Sequence, residues 1–325
     1  MSFQSIDAVR LVDPVLTQLA QGYRNAEGVA SFIAPAVPMT SRAGRTMVFG
    51  KDAFANLDLY RAPGALIQRV TTSYTTRSFA LRQEAIGWEV TEEAALEART
   101  NAGQIDLRRF AVNDAALKLM QSWEVQVAKE VLNPAAYEAS CVGTAAGADA
   151  WDKPTSDTEM QIDTAKEAVR GQIGVYPNKM VLSPQAYNAA RRNKRIREYA
   201  QRGVIINEKV LAEIWGLDEV RVAARLSLNP VTGKLENIYN NCALLFYQTQ
   251  ASTDGLTPYE SANYGLPGFA YTYTLNGTPI STPERFDMER RVFRGDILVE
   301  RNVELVGLGE TGQVGSGYLF TSVVA

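Results

Sequence analysis

The chain has 325 residues, 46% hydrophobic and 21% charged, a composition that supports one large or two modest globular domains and excludes a largely disordered chain. A formal net charge of -3 excludes a global basic field that would recruit nucleic acid. The absence of histidine removes Ser-His and Cys-His nucleophile activation, imidazole metal ligation and the usual near-neutral proton switch. Cys141 and Cys242, with no CxxC, fit a reduced compartment and neither a zinc site nor a disulfide framework. No basic amino-terminal region precedes an apolar run, and no window near 18 apolar residues occurs, so a soluble protein made in the cytoplasm is expected.

Residues 1–45 do not read as a compact unit. Asp13 and Pro14 supply the cap and first position of a short helix with the stripe Val15, Leu16 and Leu19, ended near Gly22. Phe32 to Pro38 follow as an extended stretch whose prolines oppose central strand pairing. Ordering each residue costs about 1 to 2 kcal/mol, so this arm needs a surface, either its own body's or a neighbour's.

From Met47 to Val90 the pattern is strand-like, with an outgoing run at Met47, Val48 and Phe49, a returning run from Val70 to Leu81, and a tip at Pro63 and Gly64. Both faces carry polar groups, among them Arg69, Thr71, Thr75 and Arg77. A two-stranded ribbon is marginal alone in water, so this one is expected to become ordered against another subunit; a hairpin packed on its own domain is the alternative. Residues 89–99 predict a short helix opening at Thr91.

Residues 104–132 form the longest periodic stretch, with Val112, Ala116, Leu119, Trp123, Val127 and Val131 on one helical stripe. At 1.5 Å per residue this spine helix reaches roughly 40 Å, and Pro134 ends it. Residues 134–157, rich in alanine, glycine and aspartate, read as a surface loop. Ser156 with Glu159 then forms a capping box for a helix carrying Ile162, Ala165, Val169 and Ile173, closed by Gly174. Between 176 and 225 strands alternate with helices: a strand at 179–182, a helix capped by Ser183 and Pro184, a helix at 208–215 ended by Gly216, and a strand at 219–223. This is the pattern of a small α/β domain. Asn229 to Gly233 predict a turn and 242–247 a buried strand. Residues 291–293 and 297–306 are expected to flank a turn at Arg294, Gly295 and Asp296, and 318–324 to form a last strand.

Three short motifs invite chemistry and are better explained without it. Gly307, Gly309 and Gly312 match G-x-G-x-x-G after a strand, but a dinucleotide site needs a following helix and an acid about 20 positions on, more chain than follows Gly312. Arg294-Gly295-Asp296 is a weak adhesion match that the expected turn explains, and Asn276-Gly277-Thr278 is a glycosylation sequon with no route to secretion. Arg191, Arg192, Lys194, Arg195, Arg197 and Arg202 form the strongest charge cluster, with Glu198 the only acid among them. It reads as a solvated helix end, or as a subunit contact pairing with acids, in preference to a contact with nucleic-acid phosphates. No carboxylate pair or metal-ligand spacing stands out. No catalytic, cofactor-binding or metal residue is assigned, no cofactor is expected, and the chain is expected not to be an enzyme.

Tyr176-Pro177-Asn178-Lys179-Met180-Val181-Leu182-Ser183-Pro184 with Tyr187, then Leu211-Ala212-Glu213-Ile214-Trp215-Gly216-Leu217 with Val220 and Val222, and the close Gly317-Tyr318-Leu319-Phe320 together resemble the major capsid proteins of tailed bacteriophages, the Hong Kong 97 type. Elsewhere the resemblance lies in the order and length of the parts. It implies an α+β fold with an N-terminal arm (1–45), an extended β-ribbon or E-loop (46–85), a peripheral domain (86–157 and 284–325) built on the spine helix, and an α/β axial domain (158–283). It also implies a homo-oligomer of hexamers and pentamers closing an icosahedral shell around double-stranded DNA held by non-specific contact. Such a virion capsid is assembled in the host bacterial cytoplasm without a membrane, with a portal at one vertex and a decoration or cement protein as further partners. Some relatives carry a long amino-terminal scaffolding segment; here Met1 leads almost at once into the arm, so a separate scaffolding protein and no large maturation cleavage are expected. Some relatives crosslink a ribbon lysine to a neighbour's asparagine, and Lys51 lies in the matching segment. The alternatives are an encapsulin-like nanocompartment of the same fold, against which the proline-rich arm speaks because such relatives begin with a helix there, and a histidine-free cytoplasmic hydrolase with a deep pocket and convergent carboxylates. Without histidine, no pH-triggered change is expected near neutrality.

Overall fold

The computed structural model describes residues 25–49, 54–57, 59–61, 64, 66–67, 69, 74–100, 106–199, 205–248, 268–276, 280–281, 284–306 and 312–325. The helix expected after Asp13, Lys51, Pro63, Arg202 and the glycine run 307–311 fall outside these residues.

In chain order the described residues form a helical turn α1 (Ala30–Ile33), strands β1 (Ala36–Met39), β2 (Ala43–Phe49), β3 (Tyr74–Ala80) and β4 (Arg82–Thr91), and helices α2 (Glu92–Thr100) and α3 (Leu107–Val131). Next come β5 (Val142–Thr144), α4 (Thr158–Ile173), β6 (Lys179–Leu182), α5 (Pro184–Arg192), α6 (Lys194–Tyr199), α7 (Glu208–Ile214) and β7 (Glu219–Val222). The chain closes with β8 (Leu226–Leu228), β9 (Leu235–Asn237), β10 (Cys242–Phe246), β11 (Ala270–Leu275), β12 (Ile280–Ser281), β13 (Arg285–Asp287), β14 (Val292–Leu305) and β15 (Gly317–Thr321). Among the described residues no helix is long and apolar enough to cross a membrane.

Two compact units result, one holding Gln83–Trp123 and Thr278–Val299, the other Glu27–Arg82, Glu124–Gly277 and Glu300–Ala325. In the first, β4, β12 and β13 pair with the first part of β14, and Ala115 and Leu119 of α3 are buried with Ile297, flanked by Ile86, Trp88 and Val299. In the second, a five-stranded sheet in the order β5-β15-β10-β6-β7 carries the main core. Its central strand β10 is buried at all five positions, the pattern of a strand covered on both faces. Trp151 lies at the heart of this core, its ring 5.9 Å from those of both Trp215 and Phe320. The same unit holds β1 parallel to β11, with β11 antiparallel to the last part of β14, the β2–β3 ribbon, and the β8–β9 hairpin.

Local sequence explains most boundaries. The Ser183 hydroxyl accepts from the Ala186 amide at 3.2 Å and Pro184 takes the first helical position of α5, as the proline-after-cap rule requires. Gly174 stops α4 at φ +77, and Gly216 follows α7 at φ +58, a conformation that side chains oppose. The four expected apolar positions of α4, Ile162, Ala165, Val169 and Ile173, are all buried. The spine helix begins at Leu107 and ends at Val131, with Leu119, Val127 and Val131 buried and Val112, Ala116 and Trp123 half-buried.

Four expectations need correction. The stretch 134–157 is no surface loop: it contains three short 3-10 turns and β5, and it buries Tyr137, Cys141, Ala150 and Trp151, apolar anchors spaced without period along an irregular backbone. Asp157, not Ser156, caps α4, accepting from the Met160 amide at 3.2 Å, while the Ser156 hydroxyl donates to the Asp149 carbonyl. The helix expected over 89–99 does open at Thr91, whose hydroxyl caps it by accepting from the Ala94 amide, but residues 89–91 belong to β4 and the helical backbone starts at Glu92. Arg294-Gly295-Asp296 is no turn but lies within the single strand β14; a Cβ on Gly295 would sit 2.9 Å from the Trp88 indole. The glycine there serves cross-strand packing, and the turn falls at 288–291, where Asp287 accepts from the Glu289 and Arg290 amides.

Candidate assembly surfaces

The ribbon is fixed at its base and open along its length. At the base, Arg42 makes a bidentate pair with Glu300 at 2.8 and 2.7 Å, the geometry in which arginine binds carboxylate most strongly. Arg77 donates to the Leu305 and Gly312 carbonyls at 2.9 and 3.2 Å. The Phe79 ring lies 5.1 Å from Tyr273 and is buried with Val37. Beyond this base Met47 and Tyr74 are exposed, and in the connecting segment Leu59, Tyr60 (100% exposed), Leu66 (97%) and Ile67 face solvent. Large apolar groups left in water make this segment a candidate interaction surface. The first part of the spine adds Phe110, Leu117 and Met120, exposed on the side away from Ala115 and Leu119.

The arm has its root in its own body. Glu124, 1% exposed, accepts from the Val29 and Ala30 amides, 3.0 Å each, capping α1 from outside it. Arg225 approaches the same carboxylate at 4.0 Å. A Cβ on Gly28 would overlap the Glu124 carboxylate, so any larger residue there would displace it. Tyr239 is buried beside the pair; burial first, and the Glu124 charge second, push its hydroxyl pKa well above 10. Further along, Arg221 and Lys179 lie 4.3 and 4.8 Å from the Phe32 ring, and burial lowers the Lys179 pKa. The Thr272 amide donates to the Pro35 carbonyl at 3.0 Å as β1 joins β11. Pro38 is tolerated because β1 is an edge strand.

Glu124 and Arg225 carry this anchor, and sequence reasoning passed over both. The available signal was an acid set inside the apolar stretch from Trp123 to Val127. The basic cluster is described as far as Arg197: Arg195 pairs with Asp157, Lys194 with Glu198 at 3.8 Å, and Arg191 stacks 5.4 Å from the Tyr187 ring. Carboxylates gather along α4, where Asp157, Glu159, Asp163 and Glu167 line an open groove with Tyr199. Hydrogen bonds from Arg170, then Tyr176, lower the Glu167 pKa, whereas a general acid needs its pKa raised. Among the described residues no group of three or more Cys, Asp or Glu is placed to hold a metal ion.

The mixed α/β fold is similar to that of phage capsid structures. It matches the capsid structure of cyanophage P-SCSP1u with a TM-score of 0.56 at 12% identity, over 94% of this chain and 91% of that one. A phage-related protein from Bordetella bronchiseptica RB50 matches with a TM-score of 0.70 at 24% identity, over 96% and 97% of the two chains. The SrpI encapsulin of Synechococcus elongatus matches with a TM-score of 0.53 at 12% identity, over 97% and 96%. In sequence the chain is 26% identical over 329 aligned positions to the major capsid protein of Burkholderia phage BcepMu, covering 98% of each. No family model matches it.

Proposed function

We infer that this chain is the major capsid protein of a tailed bacteriophage and that it works through its interfaces and not by catalysis. The end-to-end likeness to a phage major capsid protein, 98% of either chain, carries the reading. The exposed ribbon agrees with it: apolar groups held in water on a marginal two-stranded element become useful once a neighbouring copy covers them, and closed symmetry multiplies each weak contact.

In this reading copies assemble as hexamers and pentamers into an icosahedral shell around double-stranded DNA, with a portal at one vertex, a separate scaffolding protein and a decoration or cement protein. Residues 1–45 act as arm, 46–85 as E-loop, 86–157 with 284–325 as peripheral domain, and 158–283 as axial domain. The net charge of -3 suits a wall that encloses DNA without gripping it. The likeness to an encapsulin supports one second reading, a compartment of the same fold around a cargo enzyme. The contents of nuclease-treated particles separate the two. Protected double-stranded DNA inside particles whose main protein is this chain is the expected result; particles holding a stoichiometric cargo protein and no DNA would overturn it.

A further inference from the structure

We propose that the exposed apolar face of the spine helix α3 is a docking site for this chain's own residues 14–21, which lie along it as a short helix. The contact is made within one chain, so it stands apart from the reading of the chain as a shell subunit. Phe110 and Leu117 fall on the same side of α3 as Gln121, within about 40° of it at about 100° per residue, and Met120 flanks Leu117 on the neighbouring turn. All three apolar groups are more than half exposed. Residues 14–21, outside the described part of the chain, carry the matching surface: Val15, Leu16 and Leu19 share one helical side, opened by the Asp13-Pro14 pair and closed near Gly22. A helix this short is marginal alone in water, so its stripe needs cover.

The path of the chain leads to that face. The Val29 and Ala30 amides bind Glu124, and earlier in the chain the Asn25 side-chain amide donates to the Gln121 side-chain oxygen at 3.2 Å. Followed back towards its start, the chain therefore moves along α3 towards the amino end of that helix, where Leu117, Met120 and Phe110 lie. From residue 25 back to residue 21 extended chain spans at most about 14 Å. Leu117, about 6 Å along the axis from Gln121, is within that reach. A helix over 14–21 is about 12 Å long, which matches the roughly 10 Å from Leu117 to Phe110. Leu19 then falls near Leu117 and Met120, and Val15 near Phe110, so the two helices run in the same direction. Tethering through so short a connection gives an effective concentration in the millimolar range, which favours the chain's own segment over another copy's.

Paired cysteines test this. In the full chain at low concentration, Leu19→Cys with Leu117→Cys, or with Met120→Cys, is expected to form a disulfide within one chain on mild oxidation, read as a faster-running monomer on a non-reducing gel. Such a bond needs Cα atoms within about 7 Å, and Cys141 and Cys242, both buried, do not compete. Leu19→Cys with Lys129→Cys, an exposed position beyond Gln121, is expected not to close. Amide exchange is a second readout that needs no new bond. Over residues 15–21 it is expected to run about tenfold faster in Leu117→Ser with Met120→Ser than in the wild type, with an unchanged melting temperature confirming the fold. Disulfides only between two chains would overturn the proposal and assign the face to a neighbour. No disulfide in either test pair, equal closure through Lys129→Cys, or exchange over 15–21 that the serine pair leaves unaltered would overturn it as well.

Discussion

Glu124 shows how much a single buried charge can organise. Its carboxylate holds two amides of the arm and faces Arg225, and removing one partner of a buried pair costs about 3 to 5 kcal/mol because the other is left uncompensated. Glu124→Ala is therefore expected to destabilise the unassembled subunit by about that amount and to speed amide exchange at Val29 and Ala30; unaltered exchange there would show that the arm is held by its apolar contacts alone. Cys242 is a second buried group, its thiol pushed up to about 12 by burial. Thiolate is the reactive form, so a thiol reagent at pH 8 should label the native chain far more slowly than the denatured one, and equal rates would contradict that burial. Glu304 tests the pH dependence. Burial raises its pKa, with Arg77 opposing, so its protonated form is favoured in the folded chain. That contribution is complete below the unfolded value of about 4.3 and is lost as pH rises through the raised folded value, which leaves the ionised group a cost at pH 7. Glu304→Gln should make the subunit more resistant to urea at pH 7, with the advantage gone below about pH 4. An equal difference at both pH values would refute the sign. Cys242 was legible, since 242–247 reads as a buried strand and 242–246 is one; neither carboxylate stood out, because burial of a charge depends on partners about a hundred or more residues away, as Val29 is from Glu124.

At the scale of elements, what was legible was whatever local physics controls. The 3.6-residue stripe placed the spine helix to within three residues at its start, and Ser183-Pro184, Gly174 and Gly216 marked helix ends that geometry bears out. Tertiary packing hid the rest. Residues 134–157 have loop composition, yet Trp151 draws them into the core against Trp215 and Phe320. Gly295 reads as a turn glycine, yet it is there for the indole of Trp88. The exposed ribbon supplies the prediction proper to this scale. Tyr60→Ser with Leu66→Ser removes two fully exposed side chains, and surface substitutions of that kind alter subunit stability by less than about 0.5 kcal/mol. The melting temperature of the free subunit should hold while assembly fails. Normal particles from this variant would mean that the connecting segment takes no part in assembly.

For the molecule as a whole, the candidate surfaces were legible only in outline. Weak elements such as the ribbon and the proline-rich arm announced a need for a surface, and for residues 29–39 that surface is the chain's own body, through Glu124, the Phe32 ring and β11. Leu59, Leu66 and Ile67 stay exposed, and a neighbouring copy is the occupant that a shell provides. Sequence could not reveal this difference, since both segments read only as elements too weak to be stable alone. The most direct test is mass photometry of the purified chain, with negative-stain images of the same sample. Closed particles, or discrete pentamers and hexamers, are the expected result; a chain that stays monomeric when concentrated, and when co-expressed with its neighbouring genes, would contradict the shell.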